Sequence, residues 1–213
     1  MKKSKSIKLN FIMNVILTMS SFIFPLITFP YVSRILLPEG TGKVSFATSL
    51  ISYFSMFAQL GIPTYGIRAC AKVRDDKEEL TRTTQELVII NFVMSVISYT
   101  VLAVALMLVP RLREERALYI IVSLTIAFNV IGMEWMYKAL EQYTYITIRS
   151  IIFKFVALIV MFVFVHQKSD YIFYGAITIL AASGSNIFNF INAHKFIDMR
   201  PVGKYHFKRH FKP

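Results

Sequence analysis

The residues best placed to do chemistry lie in one stretch, GMEWMYKALEQYTYITIRSIIFK, running from Gly132 to Lys154. It sets Glu134 and Lys154 just inside two long apolar runs, with Trp135, Tyr137, Tyr143, Tyr145 and Arg149 between them. A charge at the centre of a membrane-spanning helix costs about 2.5–3.5 kcal/mol on insertion scales, so it needs a partner, water or a route to the interface. Glu134 lies about 6 Å of helix before Lys138, and Lys154 about 7.5 Å beyond Arg149. On consecutive antiparallel helices the two share a depth, which predicts a Glu134–Lys154 pair or a common polar cavity. Glu134, Tyr137 and Glu141 fall on one helical face, and Tyr145 and Arg149 extend it if the connection stays helical. Trp135 and Tyr143 read as interfacial aromatics. Arg34, near the far end of the first apolar run, reads first as a snorkelling anchor and second as a cation met by an anionic substrate.

The elements that must position these groups are apolar helices. Of the 213 residues, 55% are hydrophobic and 17% charged, with a mean hydropathy of +0.55. That balance excludes an ordinary soluble domain and predicts an all-α, polytopic membrane protein. Six spans are predicted, at 11–37, 44–65, 87–109, 117–137, 145–165 and 171–197, each near the roughly 20 residues that cross a bilayer. The first follows a basic start without a small-residue cleavage site and reads as a retained span. Residues 1–197 then form a six-helix bundle and 198–213 a basic tail. With the N-terminus inside, seventeen of the 24 Lys and Arg fall on the cytoplasmic side and six on the other. Both termini are therefore expected in the cytoplasm, although RLREER runs against the trend. Cys70 is the only cysteine, which excludes an internal disulfide and a cysteine metal cluster.

Polar residues recur on the apolar helices. Asn10, Asn14, Thr18, Ser21, Pro25 and Thr28 share a face of the first, and Ser45, Thr48, Ser52, Ser55 and Gln59 mark the second. Asn91, Ser95 and Ser98 mark the third, and Asn186, Asn189 and Asn192 the sixth. These faces should turn inward, as interhelical contacts singly and as a partly hydrated cavity together. Pro25 and Pro30 predict a bent first helix, and Gly61 with Pro63 a kink near the end of the second.

Other signals are weaker. His206 and His210 share a face but lack a third metal ligand. KYHFKRHF interleaves cations with aromatics, and attraction to anionic lipid explains it more simply than nucleic acid. RDDKEEL reads as a solvated charge run. Phosphate-binding, GxSxG and HExxH motifs are absent, so neither ATP-driven transport nor familiar hydrolysis has a signature.

The segments FPLITFPYVSRILLPEGTGKVSFA, AQLGIPTYGIRACAKVRDDKEEL, GMEWMYKALEQYTYITIRSIIFK and DYIFYGAITILAASGSNIFNF, with the closing FKRHFKP, carry a family resemblance. In order and spacing the chain resembles bacterial polysaccharide-biosynthesis flippases of the multidrug/oligosaccharidyl-lipid/polysaccharide exporter superfamily. The resemblance implies one lobe of a two-lobed, MATE-like exporter in the bacterial inner membrane. The implied activity moves undecaprenyl-pyrophosphate-linked oligosaccharide between leaflets and is not enzymatic. It implies no resident cofactor, with H+ or Na+ as a coupling ion. It places Arg34 in a Pro-Tyr-x-x-Arg segment, and Glu134, Tyr137, Glu141 and Arg149 in the motif joining the fourth and fifth helices. Lys154 joins these as a cavity candidate on the residue reading. Family members are about twice as long, so a fragment, a truncated product and a half-transporter are all open. The expected partners are the lipid-linked oligosaccharide, membrane lipids, and a second bundle from another chain or polysaccharide-synthesis proteins. The alternatives are a cation-exporting relative using Glu134 and Glu141, a non-transporting assembly module, and a membrane glycosyltransferase. Nucleic acid is not an expected partner.

Overall fold

The computed structural model describes residues 7–210. Lys2, Lys3, Lys5 and Lys212, counted above in the charge balance, lie outside them. All the regular elements among the described residues are helical: α1 (Ile7–Gln59), α2 (Ile62–Lys72), α3 (Lys77–Leu108), α4 (Pro110–Glu114), α5 (Arg116–Gly132), α6 (Glu134–Ala139), α7 (Tyr143–Phe164), α8 (Tyr171–Ile179) and α9 (Asn186–Ala193). Short 3-10 turns occupy Lys168–Asp170 and Phe207–His210, and a π-helical turn, Leu180–Gly184, joins α8 to α9. Four helical stretches are long and apolar enough to cross a membrane, namely Ile7–Lys72, Lys77–Leu108, Tyr143–Phe164 and Lys168–Ala193. Arg116–Gly132 is a shorter apolar helix.

The first stretch is two passes joined by a reversal. Leu37, with φ 57° and ψ 176°, is the residue with non-helical dihedrals inside α1. Pro38 follows it, lacks a backbone donor and disfavours helical dihedrals in the residue before it. Gly40 lets the turn close, since a Cβ there would stand 3.0 Å from the Leu36 Cβ and 3.5 Å from that of Tyr171. At the end opposite this reversal, Glu141 accepts from both Asn10 (3.4 Å) and Arg74 (2.9 Å). The break therefore falls at Leu37–Pro38, and neither Pro25 nor Pro30 takes the backbone out of helical dihedrals. The second expected kink is present as a break: Leu60 and Gly61 are left-handed and α2 restarts with Pro63 in its first turn.

Contacts at the two ends set the arrangement. One end gathers Asn10, Arg74 and Glu141. At the other, Lys43 pairs with Glu115 (2.9 Å), the Tyr171 hydroxyl donates to Glu115 (2.7 Å), and the Tyr31 hydroxyl donates to the Val165 carbonyl (3.0 Å). The interior is filled by Val44, Ala47, Ile51, Leu118, Val122 and Ile126 between the second pass and α5, and by Val32, Leu36, Ala157 and Met161 between the first pass and α7. Alanines at these contacts let helix backbones approach closely. Phe22, Leu26, Phe92, Met107 and Phe155 point outward, as a surface embedded in hydrocarbon allows.

The charged turn RDDKEEL is exposed from residue 74 to 78, as its sequence suggests, whereas the tail expected at anionic lipid lies against α3. Asp76 caps α3 by accepting from the Glu78 and Glu79 amides (2.9 and 3.1 Å), and Arg82 pairs with both glutamates. The tail folds back over α3: Gln85 donates to the carbonyls of Asp198 and Arg200 and accepts from Tyr205. RDDKEEL is thus a solvated run that also caps α3, and much of the tail is protein-bound.

Candidate functional site

The stretch that opened the reading folds as two helices around two left-handed residues. Met133 (φ 42°) ends α5 and starts α6, and Glu141 (φ 55°) separates α6 from α7. The predicted continuous helical face does not exist. The turns nevertheless bring Glu134, Tyr137, Tyr145 and Arg149 together. Arg149 is 7% exposed, donates to the Ser185 carbonyl at 3.0 Å and lies 3.7 Å from a Glu134 oxygen. Its guanidinium stands 5.9 Å from the Tyr145 ring, which stacks on Tyr137 at 5.3 Å. The fully buried Tyr137 donates to the Asn189 carbonyl at 2.5 Å. Asn189 in turn donates to the Gly132 carbonyl (2.7 Å), close to where the break leaves helix-end acceptors without intrahelical partners.

The expected Glu134–Lys154 pair does not form. Glu134 pairs with Lys138 at 2.8 Å and with Arg149, whereas Lys154 donates to Ser20 and Ser21 of α1 at 2.8 and 2.9 Å. The reason is rotational: residues five apart on α7 differ by about 140° at 3.6 residues per turn, so Arg149 faces α9 while Lys154 faces α1. Glu141 likewise turns to Arg74 and Asn10, away from Arg149. Arg34 is exposed near the Glu115 end and makes no hydrogen bond or ion pair among the described residues. Three of the six candidates, Glu134, Tyr137 and Arg149, therefore belong to one cluster. Trp135 is 5% exposed and packs so closely on Gly66 that a Cβ there would meet its ring at 2.7 Å, so it is a core residue rather than an interfacial one.

Polar side chains extend from this cluster. Ser185, whose carbonyl holds Arg149, precedes Asn186; Asn186 donates to Asn129 (3.4 Å), and Asn129 and Gln59 both donate to Ser55 (3.2 and 3.0 Å). Gly132 is required here, because a Cβ would fall 2.4 Å from the Asn186 side chain. The chain of amides reaches a groove of about 470 Å³ lined by Thr48, Ser52, Ser55, Gln59, Thr64, Thr125, Asn129 and Thr178 among apolar neighbours. No charged side chain lines it. The π-turn Leu180–Gly184 sits beside Ser185, the kind of helix irregularity that re-aims backbone acceptors. The α3 stripe is buried, as are Asn186 and Asn189 of α9 with Asn192 half-buried; on the second pass Thr48, Ser52, Ser55 and Gln59 line the groove, while Ser45 is exposed. On the first pass Asn14, Thr18 and Ser21 are exposed, with only Asn10 and Thr28 turned inward.

Sequence reasoning missed Glu86. Its side chain is fully buried, accepts from the His206 amide (2.5 Å), pairs with Arg209 (2.7 Å) and meets His210 Nε2 at 2.7 Å. His210 Nδ1 contacts the Tyr65 hydroxyl at 3.0 Å, and Arg209 also pairs with Glu79. The available signal was a carboxylate set directly against an apolar run, the same signal that singled out Glu134. His210 thus serves a carboxylate clasp, and Arg209 is spoken for by protein rather than by lipid.

The helices, their apolar outer surface and the amide-lined interior define an all-α polytopic membrane protein. Across residues 7–212 the chain matches the family described as "Polysaccharide biosynthesis protein", and it belongs to that family. It is 27% identical over 165 residues to a protein of Escherichia coli (strain K12) provisionally named an O-antigen transporter, covering 78% of this chain and 40% of that protein. A Shigella dysenteriae protein of the same provisional name is 25% identical over 153 residues, covering 71% and 38%. The chain thus spans about 40% of the length of these relatives. No solved protein structure gives a significant match.

Proposed function

We propose that the chain forms one lobe of a transporter that flips lipid-linked oligosaccharide across the bacterial inner membrane for surface polysaccharide synthesis. The observation that carries this reading is the run of uncharged amides and hydroxyls from the 470 Å³ groove to the buried Arg149. Uncharged hydroxyl and amide groups suit a sugar. A cation partly held by a backbone carbonyl suits a phosphate-bearing headgroup. The six passes become six membrane crossings with the Glu141 end cytoplasmic, where Arg68, Lys72, Arg74, Arg82 and the tail cations gather. The exposed Asn14, Thr18 and Ser21 then face a second bundle across the transport pathway instead of lipid. A cation exporter is disfavoured because Glu134 is committed to Lys138 and Arg149 and Glu141 to Arg74.

The test is surface-polysaccharide complementation with Arg149→Ala and Asn129→Leu at equal membrane abundance. Loss of polysaccharide in both supports the pathway; normal polysaccharide in both removes the groove and the Arg149 cluster from it.

A further inference from the structure

A second cavity, of about 590 Å³, lies at the Glu141 end between α2 and the docked tail, lined by Tyr65, Arg68, Lys72, Thr83, Arg209 and His210 with Ala69 and Val73. Its wall holds three permanent cations and a histidine but no carboxylate. The two acids that balance Arg209, Glu79 and Glu86, lie behind this lining, and Glu86 is sealed from solvent. Arg68 and Lys72 are exposed, one helical turn apart on one face, and make no hydrogen bond or ion pair among the described residues. Thr83 accepts from Arg209 at 3.1 Å, which leaves its hydroxyl hydrogen free to donate. Depth adds a second argument. Thr83 is four residues before the apolar run that opens at Leu87, so the cavity sits where a bilayer presents its headgroups.

We propose that this cavity binds the phosphate of a lipid headgroup, with Arg68 and Lys72 as the ion-pairing donors, Thr83 as a hydroxyl donor, and the Glu86 clasp holding the tail as the opposite wall. An arginine fork and a lysine point charge on one wall match the oxygens of a phosphate or pyrophosphate. Placement at the membrane surface rests on the transporter reading above. The chemistry is shared by two sources, a lipid-linked pyrophosphate and an anionic phospholipid. The cavity is separate from the Arg149 cluster, so failure here leaves the complementation test intact.

The test titrates inorganic pyrophosphate into the chain in neutral phosphatidylcholine nanodiscs, read by phosphorus NMR. Wild type is expected to bind, and R68Q/K72Q to bind at least about tenfold more weakly, the loss of two charge-assisted contacts. R111Q/R113Q, which removes the same charge at the opposite end, should bind as wild type. Repeating the titration with phosphatidylglycerol in the discs separates the sources. Weakened pyrophosphate binding in wild type alone identifies the phospholipid headgroup as occupant, and unchanged binding identifies the pyrophosphate class. Equal affinity in wild type and R68Q/K72Q, equal losses in both double variants, or no binding by wild type overturns the site. Both substituted residues are exposed, and matching circular dichroism spectra confirm that the variants are folded.

Discussion

Arg149 and Glu86 are both buried charges in an apolar bundle, and they are satisfied in opposite ways. Glu86 meets Arg209, His210 and a backbone amide, so its carboxylate is enclosed by donors. Arg149 has one carbonyl at 3.0 Å and one carboxylate at 3.7 Å, and its Nε has no partner among the described residues. A charge closed off on every side holds architecture, whereas one that keeps unused donors retains capacity for a ligand. The contrast sets Glu86, which fastens the tail, against Arg149, which we propose faces the transport pathway.

The largest effect should come from Glu86→Ala. Removing Glu86 leaves the His206 amide and His210 without their acceptor and Arg209 with Glu79 alone, a loss of about 3 kcal/mol. Thermal unfolding in detergent should show that loss, with faster proteolysis near residues 200–208. An unchanged midpoint would erase the contrast with Arg149. Next comes Gly66→Ala, whose Cβ would meet the Trp135 ring at 2.7 Å. Overpacking of this kind costs about 1–3 kcal/mol, again read by thermal unfolding. Lys154→Ala should cost less, about 0.5–1.5 kcal/mol for the contacts to Ser20 and Ser21, since that side chain is half-exposed. Arg149→Met should change stability least, within about 1 kcal/mol, because Glu134 keeps Lys138 and is 37% exposed, so no buried charge is left unpaired.

Helical class, apolar runs and the Leu60–Gly61 break were legible because hydropathy and helix breakers are local properties. So was the kinship of Glu134, Tyr137 and Arg149, although the route to it differed. Met133 and Glu141 adopt left-handed dihedrals that sequence reading reserves for glycine or asparagine, so the turns that assemble the cluster were invisible. Which neighbour a face meets was also hidden. Periodicity placed Lys154 on α7 but not against Ser20, 134 residues away. Glu86 was overlooked because its partners, Arg209 and His210, lie 123 and 124 residues further on. Long-range pairing of this kind is a property of packing, and only the folded chain displays it.

The most direct measurement expresses Arg149→Met in cells whose surface polysaccharide depends on this protein, with membrane abundance and thermal midpoint measured in parallel. The account predicts a folded, normally abundant protein and loss of surface polysaccharide. Full polysaccharide at normal abundance would contradict it, making Arg149 as structural as Glu86.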